Sequence, residues 1–303
     1  MSVLQGVFSV LPTPFHNDDT LDLDSLRRVI DLFIAHGVNG LTALGVTSEV
    51  ARLTDRERQI VLETVISHVN GRVPVVVGAT ADGTNTCLNY SLDAKQAGAA
   101  AVMISPPRMA KLNSDTVVRH FAAVAKTVNI EIVVQDYPPI SGFHMEPALL
   151  ARIAREIPQA RTIKLEDPPT PFKTSRILEA AQGIDVRIFG GLGGVFLLEE
   201  LMAGASGAMT GFAYPEILVD IVKAYRAGDF DTAADYFYCS VPLMRFEFQE
   251  GIGMAIRKEV LRRRGALTTA ITRSPGAKLD ATTLAALDRV MKWTGKKSES
   301  ASE

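Results

Sequence analysis

Short apolar runs rich in β-branched residues recur along the chain, and each is followed by a longer stretch whose apolar positions fall at helical spacing. A strand followed by a covering helix is the repeating unit of a parallel sheet. Eight candidate strands are Gly6 to Leu11, Gly40 to Leu44, Val73 to Gly78, Ala100 to Ser105, Glu131 to Asp136, Arg161 to Leu165, Val186 to Phe189 and Gly207 to Thr210. Amphipathic patterns fill the gaps: Leu26, Val29, Ile30, Phe33 and Ile34 share one face of the first helix, with N-cap residues between Asp22 and Ser25. Eight such units without a long linker predict a closed (β/α)8 TIM barrel. An open doubly wound sheet usually has five or six strands and a glycine fingerprint after the first, and no GxGxxG follows strand one.

The pattern does not stop where a minimal barrel would. Pro215 to Arg226 is the expected last barrel helix, but Phe230 to Gly265 and Thr282 to Thr294 are also helical in period. The expected organisation is a barrel over residues 1–225 and a helical extension over 226–295, packed on the barrel or forming a subunit interface. A small polar tail, 296–303, is expected to be mobile.

Composition narrows the function classes. Hydrophobic residues make up 47% and charged residues 22%, with a formal charge of -2, so the chain can bury a large core. That balance argues against a nucleic-acid partner, which calls for a surplus of Lys and Arg on one face. The basic run Arg262-Arg263-Arg264 reads as a solvated helix face. Cys87 and Cys239 are too few and too far apart for a disulfide framework or a zinc site, so no metal is expected. Met1 to Phe15 lacks a basic n-region and is broken by Pro12 and Pro14, and no apolar run reaches membrane-spanning length, so no membrane partner is expected. The expected setting is the cytoplasm.

In a barrel of this kind chemistry sits at the C-terminal ends of the strands. Those ends carry Gly45-Val46-Thr47-Ser48-Glu49, Ser105-Pro106-Pro107-Arg108, Gln135-Asp136-Tyr137-Pro138-Pro139, Thr162-Ile163-Lys164-Leu165-Glu166, Gly190-Gly191-Leu192-Gly193-Gly194 and Met209-Thr210-Gly211. Strand alternation turns Ile163 and Leu165 toward the helices and Thr162, Lys164 and Glu166 into the barrel. Burial penalises an ammonium and favours the free amine, the form that attacks a carbonyl to make an imine. A buried ion pair with Glu166 or Asp167 is the competing reading of Lys164. Tyr137 shares the inward side with Gln135, so its phenol can approach an amine on the next strand and pass protons, or simply line the barrel. Small residues from Gly45 to Glu49 can turn amides and hydroxyls toward a carboxylate, and Thr47 or Ser48 can equally cap the following helix.

In order along the chain these residues resemble the dihydrodipicolinate synthase and N-acetylneuraminate lyase family of class I aldolases. The resemblance runs from Gly6 to about Leu267, through Pro12-Thr13-Pro14-Phe15, the Gly45 to Glu49 loop, Val133 to Tyr137, Ile163-Lys164 and Ala203 to Gly211. It implies a Schiff-base lyase acting on pyruvate or a longer 2-keto acid, in which Lys164 forms the imine, Tyr137 transfers protons, and Thr47 with Ser48 holds the carboxylate. Gly191 and Met209 would line the same pocket. It implies no organic cofactor, because the protonated imine is itself the electron sink, and it implies a homo-oligomer, a dimer or a tetramer.

Three departures bear on the substrate. Val46 stands where the synthases have a relay hydroxyl, and Arg108 stands where they have a relay tyrosine. Pro138-Pro139-Ile140-Ser141-Gly142 lacks the arginine that grips their second substrate. The Gln-Asp-x-Pro pattern and Lys164 followed by Glu166 look more like the subgroup that dehydrates or cleaves 2-keto-3-deoxy sugar acids. Arg108 is therefore expected to grip a substrate tail, unless it pairs with a surface acid. The competing functions are a true synthase condensing pyruvate with aspartate semialdehyde, and a phosphate-binding barrel isomerase using the glycines at 190, 191, 193 and 194.

Overall fold

A computed structural model describes residues 4–300, and their side chains as far as residue 294. The chain runs β1 (Gly6–Val10), α1 (Leu23–Ala35), β2 (Gly40–Ala43), α2 (Asp55–Val69), β3 (Val75–Gly78), α3 (Thr84–Ala97), β4 (Ala101–Ile104), α4 (Ser114–Val128) and β5 (Glu131–Asp136). It continues through α5 (Pro138–Ser141), α6 (Pro147–Glu156), β6 (Thr162–Leu165), α7 (Thr170–Ala180), β7 (Arg187–Gly190), α8 (Leu197–Met202), β8 (Gly207–Thr210) and α9 (Pro215–Arg226). The eight strands are all parallel and close into a barrel in sequence order, β8 pairing with β1. Helices α10 (Phe230–Glu247), α11 (Gly253–Arg263) and α12 (Ala281–Ser300) follow.

Alternation along the strands builds two cores. Outward residues such as Val7, Leu41, Val77, Ile132, Ile163, Ile188 and Ala208 join the layer between strands and helices. Inward residues Phe8, Val76, Ala101, Met103, Val133, Phe189 and Met209 plug the barrel, with the rings of Phe8 and Phe189 edge to face at 5.5 Å. Each such buried side chain is worth about 1.5–3 kcal/mol of transfer free energy, so the interior below the site is solid rather than a pore.

The helices beyond α9 lie against the barrel and are tied to its mouth by buried charges. Lys258 on α11 is fully buried, pairs with Glu49 just after β2, and donates to the Ile271 carbonyl at 2.7 Å. Arg264 joins Glu216 on α9 at 2.6 Å. At the end of the chain α12 carries the backbone through Lys296 to Ser300, within the stretch where the sequence suggests a mobile tail, and residues 301–303 lie outside those described. No helix among the described residues is long and apolar enough to cross a membrane.

One buried acid makes the fold sensitive to pH. Glu200 on α8 packs beneath Gly190, takes a hydrogen bond from Thr170 Oγ1 at 2.5 Å, and leaves its other oxygen without a partner among the described residues. Burial pushes its carboxyl up to about 8. The folded state therefore holds the proton more tightly than the unfolded chain does, and this contribution to stability, full at low pH, is lost as pH rises toward and through 8. Glu200→Gln, which is neutral at every pH, should raise Tm by several degrees at pH 8.5 and change it little at pH 5. Thermal melts at the two pH values check this, and equal shifts at both would contradict it.

Candidate active site

Strand β6 delivers the centre of the site. Lys164 is buried and inward, in register with Gln135 on β5, and its Nζ lies 3.3 Å from Glu166 Oε1. Glu166 accepts a second bond at Oε2 from Gln135 Nε2 at 2.6 Å, and Gln135 Oε1 accepts from Ser105 Oγ at 3.2 Å. Four inward side chains from three adjacent strand ends thus form one chain of contacts, Ser105 to Gln135 to Glu166 to Lys164. Of the two acids the sequence offers Lys164 as ion-pair partners, Glu166 takes the role. Asp167 goes instead to Lys173, which also holds Asp136, at 2.7 and 2.6 Å.

Glu166 can sit there because Gly191, at the end of β7, has no side chain. A Cβ on Gly191 would lie 2.3 Å from Glu166 Cγ. Gly191 is therefore a support for the carboxylate and shapes the pocket through it.

Two cavities flank this chain of contacts. The larger, about 780 Å³, is lined by Thr47, Tyr137, Glu166, Asp167, Leu192, Phe248 and Arg257 among others. The smaller, about 370 Å³, is walled by Gly45, Val46, Met103, Ser105, Gln135 and Ile140 among others. Thr47 has a buried hydroxyl without a partner among the described residues, so it is free to meet a ligand. Tyr137 stands at the start of α5. Burial, reinforced by the negative charges of Glu166 and Glu250, pushes its phenol above the usual range, so it is a proton donor at neutral pH.

Three expected contacts fall elsewhere. Ser48 Oγ donates to the Leu11 carbonyl at 2.5 Å and accepts from the Gly45 amide at 3.1 Å, so its hydroxyl shapes the loop and lines neither cavity. Met209 is inward and fully buried in one cluster with Phe8 and Phe189, and it lines neither cavity. Arg108 is exposed, and its backbone N–H donates to Asp82 Oδ1 at 3.0 Å. It lines neither cavity of its own chain. Gln135 and Arg257 were given no role from the sequence, and Glu166 was named only as an ion-pair partner for Lys164. Glu166 and Gln135 were within reach, since strand parity turns both inward with Lys164. Arg257 left no such signal, because it arrives from α11.

The glycine loop after β7 does not form a phosphate cradle. The Gly193 amide donates to Thr210 Oγ1 at 2.9 Å and the Gly194 amide to the Gly191 carbonyl at 3.0 Å, while Glu166 and Glu200 press against Gly191 and Gly190. Among the described residues no cluster of His, Cys, Asp and Glu is placed to hold a metal ion.

With this geometry in view, residues 3–294 match the model of the dihydrodipicolinate synthetase family. The chain belongs to that family. It is a lyase of the family's Schiff-base type. A relative from Azospirillum brasilense described as an L-2-keto-3-deoxyarabonate dehydratase is 35% identical over 93% of this chain and 92% of its own. A 4-hydroxy-tetrahydrodipicolinate synthase from Methanosphaerula palustris is 31% identical over 95% of this chain and 99% of its own. The crystal structure of a dihydrodipicolinate synthase from Rhodopseudomonas palustris superposes with a TM-score of 0.90 at 33% identity, covering 96% of this chain and 97% of that one. The (β/α)8 barrel with C-terminal helices read from the sequence is the fold these family members share.

The support of Glu166 by Gly191 can be tested directly. In Gly191→Ala the new methyl displaces Glu166 from Lys164, and misplacing a reacting group by about 1 Å costs roughly 100-fold in rate. The variant should keep the wild-type circular dichroism spectrum and lose 10- to 100-fold in kcat on the best substrate, about the same span. Unchanged kcat would mean that Glu166 has no part in turnover.

Proposed function

We propose that this protein dehydrates a 2-keto-3-deoxy sugar acid through an imine on Lys164. The observation that carries the reading is the buried Lys164–Glu166 pair, 3.3 Å apart, with Glu166 lining the 780 Å³ cavity. The Lys164 amine attacks the C2 carbonyl carbon, water leaves, and the protonated imine draws electrons from C3. A carboxylate beside Nζ is within reach of the C3 hydrogens, one carbon beyond the imine carbon, so Glu166 removes a proton to give the enamine. The enamine electrons then expel the C4 hydroxyl, which leaves as water with a proton from Tyr137. Thr47, with its free hydroxyl, holds the C1 carboxylate. Hydrolysis of the resulting imine releases the product and restores Lys164.

Dehydration is favoured over condensation with aspartate semialdehyde by what is absent from the wall. Val46 puts an apolar side chain where a relay hydroxyl would be, and no arginine follows Tyr137 to hold a second substrate. A wall without a partner for a substrate's polar group discriminates against that substrate by roughly 10²-fold. The 35% identity to a keto-deoxy acid dehydratase supports the same choice. A homo-oligomeric state belongs to this reading. The exposed Met109 and Ile140 at the rim are apolar surface that a second copy would cover.

Borohydride reduction in the presence of pyruvate or a 2-keto-3-deoxy acid should attach the acid covalently to Lys164, located by peptide mass mapping. Lys164→Ala should abolish the label. Label on another lysine, or none with several keto acids, would remove the imine mechanism. Tyr137→Phe should still form the adduct slowly and lose about 10²- to 10⁴-fold in turnover, the usual worth of a positioned proton donor. Efficient condensation of pyruvate with aspartate semialdehyde, beside weak water loss from 2-keto-3-deoxy acids, would reverse the assignment between the two activities.

A further inference from the structure

Part of the wall of the larger cavity, which Glu166 also lines, is made by the C-terminal helices, and it carries one guanidinium that is buried but under-used. Arg257 on α11 is 4% exposed and lines the cavity. Its Nε donates to Glu247 Oε1 at 2.7 Å, and Glu247, itself 1% exposed, is held on its other side by the Ala213 amide at 3.1 Å. Neither Nη1 nor Nη2 bonds to any of the described residues, and Nη1 is a buried nitrogen without a partner. The group lies against the end of β8, where a Cβ on Gly211 would fall 1.9 Å from Nη1, so only glycine leaves it room. A guanidinium kept out of water with most of its donors idle is costly, and such a group takes its place when a ligand supplies the acceptors.

The surroundings limit which acceptor fits. A guanidinium has donors only, so the partner is an oxygen lone pair. Glu247 already offsets much of the Arg257 charge. The cavity wall carries four carboxylates, Glu166, Asp167, Glu247 and Glu250, against the guanidinium groups of Arg52 and Arg257, and Arg52 is itself paired with Glu49 at 2.6 Å. A second carboxylate on the substrate would meet this negative wall, whereas a hydroxyl accepts from Arg257 without adding charge. The spacing also fits. Strands β6 and β8 are two apart in the barrel, roughly 10 Å at ordinary strand separation. A lysine imine at one side and an arginine at the other bracket a chain of a few carbons beyond C2.

We infer that Arg257 is a specificity-determining residue that binds the far hydroxyl of the substrate, which is a five- or six-carbon 2-keto-3-deoxy monocarboxylic acid ending in an alcohol rather than a dicarboxylic acid. This rests on the reading of the site as one for keto-deoxy sugar acids. It also replaces Arg108 in the role that the sequence suggests for it.

The test compares two substrates within each variant. One is a five-carbon 2-keto-3-deoxy acid with hydroxyls at C4 and C5, and the other is 4-hydroxy-2-ketobutyrate, which lacks the far carbon and its hydroxyl. Arg257→Lys keeps the charge beside Glu247 and loses the fork. Arg257→Gln combined with Glu247→Gln removes the pair without stranding a buried carboxylate. In both, the ratio of kcat/KM for the longer acid to that for the shorter should fall 10- to 100-fold, mostly through KM. The wild type should prefer the alcohol-ended acid over its dicarboxylic counterpart. A ratio unchanged from wild type in either folded variant, or a wild type that turns over the dicarboxylic acid as well, would overturn the inference. Pyruvate trapping on wild-type Lys164 is read separately: its failure would refute the imine mechanism, whereas trapping with an unchanged ratio refutes only the role of Arg257.

Discussion

The inward parity of β6 is the constraint on which the site depends. A strand that must place Ile163 and Leu165 against the helices has no choice but to turn Lys164 and Glu166 into the barrel. Neither charge could be buried there alone, since an isolated buried ion is costly and the pair is tolerated only with good geometry and further hydrogen bonds. Gln135 and Ser105 supply those bonds from the next two strands, and Gly191 supplies the space. The groups to which we assign the chemistry and the means of burying them are thus one network, and a change to any member reaches the others.

The same logic extends to the C-terminal helices. They hold the mouth of the barrel through charges buried in pairs, Lys258 with Glu49 and Arg257 with Glu247. Removing one partner of such a pair costs about 3–5 kcal/mol, because the remaining charge is left uncompensated, so these contacts fix the helices to the barrel in one position. Burial depresses the Lys258 ammonium to about 8, which marks how dry this junction is. The extension is therefore a wall of the cavity as well as a covering of the barrel.

The glycines after β7 illustrate how one residue pattern serves different ends. Glycines at a strand end suit a phosphate loop in many barrels, because they free amides to point at an anion. Here the amides of Gly193 and Gly194 are bonded within the protein, and the missing side chains at 190 and 191 make way for two carboxyl groups. Which use applies depends on the neighbours across the loop, and they come from elsewhere in the chain.

The sequence by itself determined the barrel, its strand limits to within two residues, the extra helices, and the inward direction of Lys164, Tyr137 and Glu166, because all of these follow from local periodicity and from the rule that sites form at strand ends. Parity gives direction but not neighbours, so Met209 was legible as inward and not as a member of one cluster with Phe8 and Phe189. A hydroxyl's choice between backbone and ligand was not legible either: Ser48 bonds to Leu11, 37 residues earlier. Only the tertiary structure decided that Arg108 stays exposed and lines neither cavity of its chain while Arg257 lines one. A helical period shows which face of α11 is apolar but not toward which part of the barrel it turns, and that orientation is set by Gly211, Glu247 and Glu49, contacts that exist only once the chain has closed.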